Sequence, residues 1–152
     1  MDKITLYCEG IDQMVECLPG ESLYELSQRV QTGCKYPVVA ALVDNMLKEL
    51  SFKVYTSHTV NFIDYTHPEG RRTYIRSLSM VLQKAVVDLF PEHQLYLDYN
   101  LPNGLYGELR LKGEEKSAPA SLLTPEQISQ IKGRMSEIIK GDMPIVKSKI
   151  PN

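Results

Sequence analysis

The strongest constraint on the fold is a stripe of apolar residues that ends at a proline. Between Arg71 and Phe90 the apolar positions recur at steps of three and four, the spacing of one face of an α-helix. Pro91 has no backbone N–H and a fixed φ, so the helix ends before it. The pattern predicts one buried helical face that consists of Ile75, Leu78, Leu82, Ala85 and Leu89, widened by Val81 and Val86.

A hairpin and a second helix are predicted after this stripe. Apolar and polar residues alternate from Leu95 and again over 105–111, on either side of the turn signal Asn103-Gly104. Segment 113–121 is polar and predicts a mobile loop. Thr124, Pro125 and Gln127 then predict a capped helix. Its apolar stripe is Ile128, Ile131, Met135 and Ile138, its end is Gly141, and 145–150 predicts the start of a strand in a chain that is a fragment.

The first 65 residues predict a small mixed sheet with one helix. Period-two alternation over 4–8 and 14–18 predicts a hairpin, and Ser22 with Glu25 predicts a capped helix that ends near Gly33. The apolar run 38–43 predicts a strand covered on both faces. A turn at 44–45 and a strand over 59–63 complete a β-grasp (ubiquitin-like) order. Segment 66–70 holds Pro and Gly and is the predicted linker.

Composition restricts the possible functions. The chain has 152 residues, a formal net charge of −2 and a pI near 5.9, values that argue against a strong non-specific nucleic-acid binder but leave a local basic surface open. Its three cysteines have no metal-binding or redox spacing, and no signal peptide or long apolar run occurs. We therefore expect a cytoplasmic protein with no membrane association and no metal site.

Both halves resemble the N-terminal region of threonyl-tRNA synthetases. The first half is similar to their TGS domain, and the second half to the beginning of their editing domain. The overall expectation is an α+β chain, with a TGS-like β-grasp domain at 1–65 and an incomplete editing-like α/β domain at 71–152. The residues that carry the resemblance are Pro19-Gly20, Ser22-Leu23, Val39-Ala40, Asp44-Asn45 and Leu47 in the first half, and Ile75-Arg76, Ala85, Leu89-Phe90-Pro91, Asn103-Gly104, Tyr106, Leu122-Leu123-Thr124 and Arg134-Met135 in the second.

The resemblance implies an editing reaction, but this chain does not have the residues that such a reaction needs. Editing domains carry two histidines four residues apart on this helix, and this chain has Arg76 and Met80 at those positions. Neither side chain acts as a base near neutral pH, so we expect no catalytic residue and no editing hydrolysis.

A second family has the same two modules without the histidines. Bacterial uridine kinase-like proteins resemble this chain over 70–78, 81–86 and 88–91, and in them a P-loop kinase domain follows. The resemblance implies a non-catalytic regulatory or ligand-binding region. Its partner would be its own C-terminal kinase domain, and ATP and Mg²⁺ would be cofactors of that domain alone. The alternative hypothesis is a module that binds tRNA or another RNA.

Candidate contacts with a nucleotide or RNA lie in two places. Arg71, Arg72 and Arg76 lie near the start of the long helix, where cations suit phosphates. Tyr106 and Arg110 lie on the second hairpin strand, where a tyrosine can stack on a base, with Tyr96 and Tyr99 on the first. For both groups the alternative is ordinary surface or sheet packing.

Overall fold

A computed structural model describes residues 3–101, 104–114, 122–146 and 148. They form an α+β chain that divides into two compact units, Met1–Ser77 and Leu78–Asn152. The division falls inside a continuous helix. The predicted domain ranges, 1–65 and 71–152, stay predictions. None of the helices in the described part combines the length and the apolar character that a membrane crossing requires.

The first unit is built on a five-stranded mixed sheet. In chain order its elements are β1 (Ile4–Cys8), a 3-10 turn (Glu9–Ile11), β2 (Gln13–Cys17), β3 (Glu21–Ser22), α1 (Leu23–Arg29), β4 (Ala40–Val43), β5 (Met46–Lys48), β6 (Lys53–Val54) and β7 (Thr59–Ile63). The strand order is β2-β1-β7-β4-β5, with β1 and β7 parallel and the other neighbours antiparallel. The short strands β3 and β6 pair with each other.

The core of this unit lies between α1 and one face of the sheet. Leu23 and Leu26 of α1 are fully buried and belong to one apolar cluster with residues of five strands. Burial of such side chains stabilises the fold by about 1.5–3 kcal/mol each. The strand members of the cluster are Leu6, Cys8, Cys17, Ala41, Val43, Val54, Val60 and Phe62.

Local signals in this unit are confirmed at three places. Ser22 and Glu25 form the predicted capping box, and the β1–β2 hairpin is present. Asp44 and Asn45 both have positive φ, 48° and 63°, which gives the tight turn between β4 and β5. Strand β4 is buried on both faces as predicted, but it begins at Ala40 and not at residue 38.

The predicted end of α1 near Gly33 is wrong, because the helix stops at Arg29. Val30 is already extended, with φ −112° and ψ 153°, and its side chain packs against the core. Gly33 has φ +72°, and an added Cβ there would lie 2.5 Å from the carbonyl oxygen of Gly10. The chain therefore leaves the helix early in order to pack this loop against the first turn.

Helix α2 (Pro68–Leu89) begins inside the segment that was predicted to be a linker. Proline suits the first position of a helix because its missing N–H would have no partner there. Gly70 lets this first turn approach the preceding loop closely: a Cβ on Gly70 would lie 1.9 Å from the carbonyl oxygen of Asp64.

The second unit packs a hairpin against helices. It contains β8 (His93–Leu101), β9 (Gly104–Leu111) and α3 (Pro125–Lys140), and its apolar cluster joins Ala85 and Val86 to Leu109 and Ile131. The hairpin is antiparallel, and Leu101 pairs with Gly104. The residues of the predicted turn before Gly104, and residues 115–121 of the loop predicted over 113–121, lie outside the described residues.

The predicted α3 is confirmed, and parts of two predicted stripes are corrected. Thr124 and Gln127 form the capping box, with Pro125 at the start of the helix. Ile75 and Ile128 are 37% and 41% exposed, because periodicity marks a face but not how far along it the covering elements extend. Ile145 and Val146 are exposed and not in a strand, and the rest of the strand predicted over 145–150 lies largely outside the described residues.

Candidate nucleic-acid interface

The three predicted arginines are all exposed on the first half of α2. Arg72 is neutralised in part, because its Nη1 donates to the Oε1 of Glu69 at 2.6 Å. Within the described residues, Arg71 and Arg76 take part in no ion pair. Their charges are therefore available to an anion, which makes them the better candidates for phosphate contacts.

The two candidate residues on strand β9, Tyr106 and Arg110, both bind the carboxylate of Glu108. Glu108 accepts from the Tyr106 hydroxyl at 2.9 Å and from Nε and Nη2 of Arg110 at 2.8 and 2.6 Å. The Arg110 guanidinium lowers the pKa of Glu108, and the hydrogen bond to Glu108 raises the pKa of Tyr106. Tyr106 is 42% exposed, whereas Arg110 is 8% exposed.

Because of this arrangement, Arg110 and Tyr106 differ in how accessible they are to a ligand. Arg110 is buried and paired with Glu108, so it would contact a phosphate only by giving up that ion pair. The side chain of Tyr106, by contrast, is more than one third exposed. Tyr96 lies opposite Glu108 in the register and is partly buried, and the side chain of Tyr99 lies outside the described residues.

Three exposed tyrosines of the first unit form a row that the sequence did not predict. Tyr36 and Tyr65 have ring centroids 4.5 Å apart, and Tyr65 and Tyr74 have centroids 6.0 Å apart. Their side chains are 36%, 39% and 47% exposed, in the order Tyr36, Tyr65, Tyr74. The hydrogen bond with Tyr36 raises the pKa of Tyr65, which keeps this hydroxyl protonated. We call these three residues the tyrosine row.

The buried carboxylate of Asp64 fixes the backbone near two members of this row, at Tyr36 and in the turn that contains Tyr65. Its Oδ2 accepts from the backbone N–H groups of Lys35 and Tyr36 at 3.1 and 3.0 Å. Its Oδ1 accepts from the N–H and the hydroxyl of Thr66 at 2.8 and 2.5 Å. The hydrogen bonds from Thr66 are the main reason that the pKa of Asp64 is lowered, so the group is a carboxylate at neutral pH.

Two cations lie beside this row. The Nζ of Lys35 lies 5.5 Å from the centroid of the Tyr36 ring, within the range of a cation–π contact. Arg71 precedes Tyr74 by three residues on α2, and residues at this spacing are neighbours on a helix surface. Sequence patterns missed the row because its members come from a loop, the turn after β7 and a helix, with no common spacing.

A cleft at the edge of the first unit offers less to an anion. It has a volume of about 710 Å³ and is lined in part by Arg29. The Arg29 guanidinium is already occupied, since it donates to both carboxylate oxygens of Glu21, at 2.6 and 2.9 Å, and to the Glu16 carbonyl at 2.7 Å. This cation is structural.

The described residues give little support for a nucleophilic cysteine or for a metal site. Burial raises the pKa of Cys8, Cys17 and Cys34, so their thiols stay protonated at neutral pH. No group of three His, Cys, Asp or Glu side chains in the described part is placed to hold a metal ion. On α2, the side chain of Met80 is 54% exposed.

Comparison with known proteins shows that the chain is similar in sequence to one class of enzyme. No family model matches. The chain is 30% identical over 112 residues, 74% of its length, to the threonine–tRNA ligase of Symbiobacterium thermophilum. It is 27% identical over 151 residues, 99% of its length, to that of Clostridium perfringens, and 26% identical over 151 residues to that of Acetivibrio thermocellus.

The similarity concerns a part of these enzymes. The chain spans 16% to 22% of the length of these three relatives. It is thus similar, at low identity, to the N-terminal region of threonine–tRNA ligases.

Proposed function

We propose that this chain is a non-catalytic module that binds tRNA or a related RNA. The observation that carries the proposal is the similarity to threonine–tRNA ligases along nearly the whole chain. Enzymes of that name act on tRNA. Arg71 and Arg76 are exposed and form no ion pair with any residue that the structure describes, which agrees with contacts to a phosphate backbone.

The proposal also assigns a fold type to each of the two units. The strand order β2-β1-β7-β4-β5, with parallel central strands and α1 across one face, supports a β-grasp of the TGS kind for the first unit. The helix, hairpin and helix of the second unit support an editing-like module. Arg76 and Met80, at the positions where editing domains carry histidines, leave a binding role for that module.

A salt-dependent titration with tRNA tests the function. Each lost phosphate contact reduces the slope of log affinity against log salt by about 0.7–0.9. The double variant Arg71→Ala/Arg76→Ala should therefore bind more weakly at low salt, with a slope smaller by about 1.4–1.8. Arg72→Ala is the matched control on the same helix, and it should have a smaller effect because Glu69 already compensates its charge.

Three results are possible and each is decisive. A reduced slope in the double variant alone supports the proposal. Binding that is unchanged in the double variant removes these arginines from the interface. Absence of tRNA binding by the wild-type chain at low salt overturns the function itself.

The kinase-associated function predicted from the sequence gains no support from these relatives, which are ligases. It stays a prediction with its own test, the reading frame downstream of Asn152. A Gly-x-x-x-x-Gly-Lys-Ser/Thr motif there would favour it, together with ATP and Mg²⁺ as cofactors of the added domain and that domain as partner.

A further inference from the structure

We propose that the tyrosine row, Tyr36, Tyr65 and Tyr74, stacks unpaired bases of single-stranded RNA. The proposal rests on the proposed function and specifies which part of an RNA the first unit takes. Duplex RNA hides the faces of its bases, so only unpaired nucleotides present them to an aromatic side chain.

Exposure of the rings is the first argument. Each of the three side chains is more than one third exposed, and none belongs to the apolar cluster of the first unit. Large aromatic groups that stabilise a fold are normally buried, so three adjacent exposed rings indicate a binding surface. Stacking on a tyrosine accepts any base, because every base has a π-face.

Preorganisation is the second argument. Asp64 accepts from the backbone N–H groups of Lys35 and Tyr36, and it immediately precedes Tyr65 in the chain. The close approach of Gly70 to the Asp64 carbonyl sets the position of the first turn of α2, one turn before Tyr74. The backbone that carries the three rings is therefore held at these points before a ligand arrives, which reduces the entropy lost on binding.

Charge is the third argument. Segments 35–36 and 64–76 carry four cationic side chains, Lys35, Arg71, Arg72 and Arg76, against two carboxylates. One of the carboxylates, Asp64, is buried and fully engaged by its donors. The whole chain has a net charge of −2, so the surroundings of the row are locally basic on an acidic protein. Exposed rings beside cations suit a ligand that has both bases and phosphates.

The test distinguishes binding to the bases of an RNA from binding to its phosphates. A short fluorescein-labelled oligouridylate is compared at low salt with an abasic ribose-phosphate oligomer of equal length and charge, by fluorescence anisotropy. We expect the wild-type chain to bind the oligouridylate about tenfold more tightly or better, since stacking strengthens binding at each base. In Tyr36→Leu/Tyr65→Leu this preference should disappear.

The matched variant is Tyr36→Phe/Tyr65→Phe, which keeps the rings and removes the hydroxyls. It should retain the preference within about twofold, because stacking needs the π-face and not the hydroxyl. Far-UV circular dichroism checks that both double variants are folded. The comparison of the two oligomers on the wild-type chain needs no variant, so loss of folding in the leucine variant does not remove the test.

The outcomes distinguish the two proposals. Equal binding of both oligomers by the wild-type chain overturns the stacking proposal and leaves RNA binding through the arginines intact. No binding of tRNA or of either oligomer overturns both. A proline-rich peptide is the other ligand class that exposed aromatic side chains accept. If such a peptide binds, loses affinity in the leucine variant, and the oligomers show no base preference, the row is a peptide site.

Discussion

Replacing Gly70 by alanine tests the packing that places α2 against the Asp64 loop. The added Cβ would lie 1.9 Å from the Asp64 carbonyl oxygen and 2.8 Å from its carbonyl carbon. Real Cβ atoms keep at least 3.0 Å, so the overlap exceeds 1 Å. The contacting atoms are backbone and have no rotamer that relieves the overlap, so the helix or the loop must move.

The expected loss follows from two opposing effects. Overpacking of this kind costs about 1–3 kcal/mol, and a clash with backbone belongs at the upper end. Alanine favours a helix over glycine by at most about 1 kcal/mol. The free energy of unfolding should therefore fall by about 2 kcal/mol, which lowers the urea midpoint by about 1 M at a typical denaturant slope.

Gly133→Ala is the matched control. Gly133 is exposed in the interior of α3, and a Cβ there meets nothing within 4 Å. The same substitution should stabilise the chain by about 0.5–1 kcal/mol, because only the helix preference changes. Urea unfolding followed by circular dichroism and tyrosine fluorescence measures both variants. A Gly70→Ala variant as stable as the wild type, or stabilised like Gly133→Ala, would refute the reasoning.

Two further predictions concern the caps and the buried carboxylate. Ser22→Ala and Thr124→Ala should each lower the free energy of unfolding by about 1 kcal/mol, because each removes a capping acceptor; Ser27→Ala inside α1 is the control, and an equal loss there would contradict the capping explanation. The pKa of Asp64 is lowered in the folded chain, so its contribution to stability is present above its unfolded pKa and is lost as pH falls through the folded pKa. In Asp64→Asn the decline of stability below about pH 4 should be shallower, and identical acid unfolding profiles for the two proteins would count against this role.

Local sequence signals predicted much of the fold. The capping boxes at Ser22 and Thr124 need only four consecutive residues, and both are present. The turn at Asp44-Asn45 is equally local, since Asp and Asn tolerate positive φ better than most residues. These features depend on neighbours in the chain, which a sequence displays directly.

Features that depend on distant segments were predicted less well. The stripe on α2 was correct at Ala85 and Val86 but not at Ile75, because burial depends on which elements reach each turn. The candidate site shows the same division. A run such as Arg71-Arg72 is visible in a sequence. The pairing of Arg72 with Glu69 and the burial of Arg110 against Glu108 depend on the three-dimensional fold.

The hydrogen bonds of Asp64 also link ligand binding to folding. They join the end of β7 to Lys35 and Tyr36, which are 29 and 28 residues earlier in the chain. No short peptide holds these segments together, and a partly unfolded first unit has no tyrosine row. A ligand that stacks on this row therefore binds only the native state, and by mass action it raises the apparent stability of the unit as its concentration exceeds its dissociation constant.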